Sequence, residues 1–317
     1  MPTPPPVPAP DAAPRVFDRA LLARRRARAL ARRAPGADFL LAHAVEDLAD
    51  RLAIVTRAFP VAVDLGGHTG RLHEVLRRMP GVEQALRVDV LTQDRKVPGA
   101  HLVADDALIP FADASLDLVV SALSLHFVND LPGALIQIRR ALKPDGLFLA
   151  ALLGGDTLHE LKDVLMRAEL ETTGGAAPRV APFADTRALG ALLQRAGFAL
   201  PVADVDRVTV RYDNLLALLA DLRAMGAANM LSERSRTPLA RATLMRAAEL
   251  YASDHADADG RIRATFDIVS LSGWAPHESQ QKPLAPGSAK MRLSDALEAL
   301  DRQPDGSSGP SQKGGTD

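Results

Sequence analysis

A chain of 317 residues that is 47% hydrophobic has the material for one large domain, or for a domain with an elaborated cap. Its 38 Lys and Arg against 39 Asp and Glu leave no global field to gather nucleic acid or a membrane surface, and no apolar run reaches the ~18 residues needed to cross a bilayer. With no cysteine there is no disulfide framework, no thiolate metal site and no cysteine nucleophile.

Residues 1–14, MPTPPPVPAPDAAP, are Pro-rich and are expected to be disordered or extended. The segment from 16 to 30, VFDRALLARRRARAL, places Val16, Phe17, Leu21, Leu22 and Leu30 near one helical stripe. Helices are therefore expected over 16–34 and 37–58, broken at Pro35-Gly36 and together forming a helical lid over 15–58. The arginines Arg24, Arg25, Arg26, Arg28, Arg32 and Arg33 read as a solvated face, with contact to an acidic partner or anionic lipid as the alternative.

Strand and helix signals then alternate. Strands are expected at 61–66, 85–90, 101–105, 116–123 and 146–153, and helices at 70–79 and 131–144. The run LDLVVSAL at 116–123 is apolar on both faces, which suits a buried parallel strand. Alternation of this kind implies a doubly wound α/β domain over 59–200, with helices on both faces of a mostly parallel sheet. Further helices are expected at 158–170 and 185–197. A late strand pair, 204–212 and 263–275, is separated by a mostly helical insertion at 214–252. That late region, 201–302, suits an antiparallel addition at a sheet edge carrying a cap, and the tail from 303 is polar and expected to be disordered.

The candidate site residues follow from strand ends. Asp64, Gly66, Gly67 and Gly70 lie where the first strand turns into a helix, and glycines there let a ligand approach the backbone. His68 stands between them. Asp89, with Val90 beside it, ends the second strand about 20 residues on, where a carboxylate can accept both hydroxyls of a ribose. Asp105 and Asp106 end the third strand, and an ionised carboxylate can receive an exocyclic amine. Asp117 is expected to brace the next strand. Ser121 opens the segment SALSLHFVND at the end of the fourth strand, which carries His126, either a general base or a packed structural residue. Asp156 after the fifth strand reads as a helix cap or a substrate-loop residue, and His277 and Glu278 as a substrate or partner contact or a surface turn. The His255-Ala256-Asp257 triplet sits in a polar loop without a second histidine in view, so no metal is expected.

In order and spacing, Asp64-x-Gly66…Gly70, Asp89, Asp105…Leu108-Ile109-Pro110-Phe111…Asp117-Leu118-Val119 and Leu142-Lys143-Pro144-Asp145-Gly146 resemble the motifs of class I S-adenosylmethionine (SAM)-dependent methyltransferases. The resemblance implies a seven-stranded Rossmann-like sheet with SAM as cofactor. It implies Gly66, Gly67 and Gly70 around the methionine part, Asp89 on the ribose and Asp105 on the adenine, with Asp106 supplying backbone. His68 departs from the pattern, which has a glycine there. The segments SALSLHFVNDLPGAL, LLGGDTLHELKDVL, GGAAPRVAPFADTRALGALLQRAGF and SGWAPHESQQKPLAPGSA are similar to the methyltransferase-fold assembly factors of respiratory complex I. A more distant similarity is to the carboxyl methyltransferases of biotin synthesis. These imply a protein substrate, a core subunit of complex I, altered by methyl transfer or by arginine hydroxylation. A non-catalytic chaperone retaining SAM is a further alternative. The implied location is the bacterial cytoplasm, with peripheral contact at the inner membrane, or the matrix in a mitochondrial relative.

Overall fold

The computed structural model describes residues 15–32, 34–91 and 100–281. The expectations for 1–14, for Arg33 and for 303–317 concern residues outside that range. The described residues through His277 form one compact unit, and those from Glu278 belong to a second.

Two helices open the first unit, α1 (Arg19–Arg32) and α2 (Phe39–Ala53). They are followed by β1 (Val61–Leu65), α3 (Arg71–Arg78), β2 (Gln84–Asp89), β3 (Ala100–Val103) and β4 (Leu116–Ala122). A 3₁₀ turn over Leu125–Phe127 leads into α4 (Leu131–Ala141), β5 (Leu142–Leu153), α5 (His159–Thr173) and α6 (Thr186–Ala196). The last elements are β6 (Ala199–Tyr212), α7 (Leu215–Ala224), α8 (Arg241–Asp254) and β7 (Ile262–Trp274).

The seven strands form one sheet in the order β3-β2-β1-β4-β5-β7-β6. β1 pairs in parallel with β2 and β4, β2 with β3, and β4 with β5, while β7 runs antiparallel to both of its neighbours. The order reverses between β1 and β4, the place where doubly wound sheets open a crevice at their carboxyl ends. The apolar run of β4 is covered on both sides, as its composition requires. Leu118 and Val120 belong to the core cluster that includes Leu48 and Leu52 of α2, and Val119 to the cluster that includes Leu135 and Ile138 of α4. Asp117 accepts from the backbone N–H of Val61 at 3.0 Å and from the Lys143 ammonium at 2.9 Å, so it braces β1, β4 and β5 together.

Several boundaries differ from the sequence expectations for local reasons. α1 begins at Arg19 because Val16 and Phe17 are drawn into an extended segment, where Phe17 bridges Leu231 antiparallel. α4 ends at Ala141, and Leu142, Lys143 and Pro144 open β5, where Leu142 pairs with Leu116. β6 begins at Ala199, five residues before the expected start, because β7 offers it a partner as far as Trp274. The expected late pair is antiparallel, with β7 inserted between β5 and β6. Asn214 caps α7 by accepting the Ala217 N–H at 3.0 Å, and residues 225–240 separate α7 from α8.

Candidate cofactor site

The loop after β1 sets one wall. Gly66 and Gly70 have φ of +80° and +77°, a left-handed conformation that costs a residue with a Cβ. Gly66 is also pressed against Ser124, where an added Cβ would collide with the serine side chain. Gly67 packs in the same way on the carboxylate of Asp64. Asp64 points beneath the loop and accepts the His73 N–H at 3.0 Å from the first turn of α3, tying strand to helix. Burial pushes its pKa up to about 7, against the lowering effects of that N–H and of Arg87. Ser121 is fully buried and donates its hydroxyl to the Leu65 carbonyl at 2.7 Å, so it secures the end of β1.

Asp89, Asp105 and Asp106 converge on this loop through a chain of direct contacts. Ser124 donates to Asp106 Oδ2 at 2.7 Å and accepts from Arg26 Nη1 at 3.2 Å. The same guanidinium nitrogen lies 3.7 Å from Asp89 Oδ2. Arg19 donates to Asp105 Oδ1 at 2.8 Å and also to Asp106. Asp89, Asp106 and the Gly66 turn are thus linked through Ser124 and Arg26, and Asp105 joins them through Arg19. Asp89 also accepts the Leu91 N–H at 2.8 Å, and burial raises its pKa against the pull of Arg26. Val90 is half-buried beside it.

A cavity of about 380 Å³ adjoins the loop, lined by His68 and Thr69, by Arg26 of α1, by Leu40, and by His126 and Phe127 beyond β4. Desolvation and the positive field of Arg26 lower His68 to about 3, so its ring is neutral at physiological pH. His126 is buried, and its pKa lies well below the usual imidazole value for the same two reasons. Its Nδ1 accepts the Leu153 N–H at 3.3 Å, at the point where β4 has ended and β5 runs on. That bond places the proton of the neutral ring on Nε2, which is buried without a hydrogen-bond partner.

The remaining candidates lie apart from this volume. Asp156 is exposed and pairs with Arg207 of β6 at 2.6 Å. Arg207 also holds Asp267 of β7, which sets Asp156 toward the far edge of the sheet from β2 and β3. His277 is exposed beyond the end of β7. Because β7 is antiparallel, that end pairs with Leu147 near the start of β5, on the edge opposite the crevice. Glu278 is exposed and belongs to the second unit.

The sequence reading missed Arg19, Arg26, Ser124 and Asn129. Arg26 was expected on a solvated face, and it is 3% exposed. The available signal was spacing: Arg19, Leu22 and Arg26 fall three and four residues apart on one helical stripe, and Leu22 is fully buried.

Comparison with known proteins agrees with this fold. A family profile described as a methyltransferase domain matches residues 63–150. The arginine-hydroxylase NDUFAF5, mitochondrial, of Danio rerio is 40% identical over 264 residues, covering 81% of this chain and 82% of that protein. The chain belongs to the NDUFAF5 family. It is also similar to the malonyl-[acyl-carrier protein] O-methyltransferase of Xylella fastidiosa, at 34% identity over 75% of this chain and 82% of that one. The solved structure of the YcgJ protein from Bacillus subtilis shares the fold at 16% identity with a TM-score of 0.51, covering 74% of this chain and 99% of that chain. Membership of the NDUFAF5 family brings the methyltransferase fold with its SAM-type nucleoside site.

Proposed function

We propose that this protein is a SAM-binding enzyme that modifies a protein substrate during assembly of respiratory complex I. The observation that carries the reading is the convergence of Asp89, Asp105 and Asp106 on the Gly66 turn through Ser124 and two guanidinium groups. SAM fits this donor set: Asp89 suits the ribose hydroxyls, Asp105 the adenine amine and the Gly66–Gly70 turn the methionine part. When bound, SAM supplies an electrophilic methyl group on a sulfonium centre. The chain's own residues bind, orient and exclude water.

Methyl transfer is supported by the matched methyltransferase domain. Arginine hydroxylation is supported by the name of the relatives that match over most of the chain. In either reaction His126 serves as a wall and a hydrogen-bond donor, because its accepting nitrogen is spent on Leu153. The location that fits is the cytoplasm of a bacterium or the matrix of a mitochondrion. No described helix is long and apolar enough to cross a membrane, and peripheral contact with the inner membrane fits the partner.

Titration calorimetry with SAM tests the site. Asp89→Asn keeps an oxygen for the Leu91 N–H but loses the charge that two ribose hydroxyls require. It should weaken SAM binding ten- to a hundredfold, on the scale of about 1.5–3 kcal/mol for bonds to a charged group. Unchanged affinity would remove Asp89 from the site. Mass spectrometry of complex I subunits from a deletion strain then separates loss of a methyl group from loss of an oxygen.

A further inference from the structure

The acid that the ribose needs, Asp89, is covered, and so is Asp106 beside Asp105. Asp89 is 3% exposed and Asp106 is 2% exposed, and a hydroxyl must come within hydrogen-bond distance of a carboxylate oxygen to use it. Both acids are held from α1: Arg26 lies against Asp89, and Arg19 bonds Asp106 and Asp105. Arg26 also donates to Ser124 and to the Leu123 carbonyl, and it lies 5.8 Å from the centre of the Phe127 ring. The guanidinium groups thus stand at the acceptors that a ribose and an adenine would take.

The helix that carries them is fastened before its first turn. Phe17 donates its N–H to Asn129 Oδ1 at 2.8 Å and accepts from Asn129 Nδ2 at 3.0 Å. Asp18 N–H donates to the Met230 carbonyl at 2.9 Å, and Ser232 N–H to the Val16 carbonyl at 2.8 Å. This short antiparallel join ties α1 to the insertion between β6 and β7. Beyond the far end of α1 the chain turns at Gly36, with φ of +73°, before α2.

Resting on the SAM reading above, we propose that Arg19 and Arg26 are affinity-determining residues of the cofactor site. α1 acts as an arginine latch, and the nucleoside binds by exchanging guanidinium groups for hydroxyl and amine donors on Asp89 and Asp105. The apparent affinity for SAM is then the intrinsic affinity reduced by the fraction of molecules with α1 withdrawn. The sequence expectation of an N-terminal lid acquires a mechanism: the lid is held shut by the acids that hold the cofactor.

The absence of native cysteine allows a reversible test. Phe17 and Leu231 face each other as a bridge pair flanked, not joined, by the two backbone hydrogen bonds. This is the closer kind of antiparallel pair, and it suits a disulfide. In the Phe17→Cys/Leu231→Cys protein, oxidation should fix the start of α1 and weaken SAM binding at least tenfold by calorimetry. Reduction of the same sample should restore it, which separates locking from damage to the fold. Arg26→Ala, in the otherwise native chain, should bind SAM about tenfold more tightly. Equal affinity in the oxidised and reduced states, or weaker binding by Arg26→Ala, overturns the latch alone. No SAM binding by the native chain or by any of these forms overturns the cofactor reading and the latch with it.

Discussion

Asparagine at position 64 should change how stability depends on pH, and the structure sets the size of the change. Asp64 is 1% exposed, and one of its oxygens has no hydrogen-bond partner. Its pKa rises from 3.8 to about 7. Between those values the folded chain holds a proton that the unfolded chain has released. Stability from this group is full below the unfolded pKa and is lost as pH rises through the folded one, by roughly 4 kcal/mol at ~1.36 kcal/mol per pH unit. His68, lowered to about 3, acts in the opposite sense. Its contribution is present above the unfolded value of ~6.5 and is lost as pH falls toward the folded one. The two windows overlap, so the native curve alone decides nothing. The difference between Asp64→Asn and the native chain does decide, because His68 is common to both. Asparagine retains an oxygen for the His73 N–H and never ionises. Urea unfolding, followed by the fluorescence of Trp274, the single tryptophan, should show the variant gaining steadily on the native chain from about pH 4 to about pH 7 and no further beyond. Parallel curves across that range would refute the reasoning, since Asp64 would then titrate as an exposed carboxylate does.

Gly66→Ala should lose about 1–2 kcal/mol from its left-handed backbone alone, and more from collision with Ser124. Adding Ser124→Gly should recover the collision but not the backbone cost, a double-mutant cycle read from urea midpoints. His126→Phe should cost about 1–3 kcal/mol, because the Leu153 N–H is left buried without its acceptor. Nitrogen chemical shifts of native His126 should report a neutral ring with the proton on Nε2 from pH 6 to 8; a protonated ring at pH 6 would contradict the burial argument.

The parallel half of the fold was legible because β1 and β4 are short apolar runs closed by a turn and the helices between strands carry their own period. Asp89, which ends β2, could be placed from the same pattern, whereas β3 stops at Val103 and leaves Asp105 and Asp106 in the turn beyond it. Asp117 was read as a brace, and it spans β1 and β5. The course of β6 was harder to read. Leu200 and Val202 are about half exposed on an edge strand, so no alternation marks its beginning, and its length is set by pairing with a strand some sixty residues later. The helix–strand join at Leu142 was blurred because Leu142, Lys143 and Pro144 satisfy a helical period as well as an extended one. Arg24, Arg28 and Arg32 are exposed as expected, but Arg26 was misread for a different reason. A guanidinium counts as polar in any periodicity, and only the tertiary position of Asp89, Ser124 and the Leu123 carbonyl makes Arg26 an interior residue. His277 was placed by its proximity to a strand end, but the direction of β7 sends that end to the other side of the sheet.

The insertion of β7 between β5 and β6 has a consequence for synthesis. β5 is complete at Leu153 and β6 at Tyr212, yet β5 has only β4 beside it and β6 has no partner until Ile262–Trp274 is made. A nascent chain therefore emerges with two unpaired strand edges, and its late helices α7 and α8 form before the sheet that supports them is closed. Such edges are templates for pairing with other chains. The final strand is the bolt of the structure, and any truncation that removes it should yield an aggregating product rather than a smaller working domain.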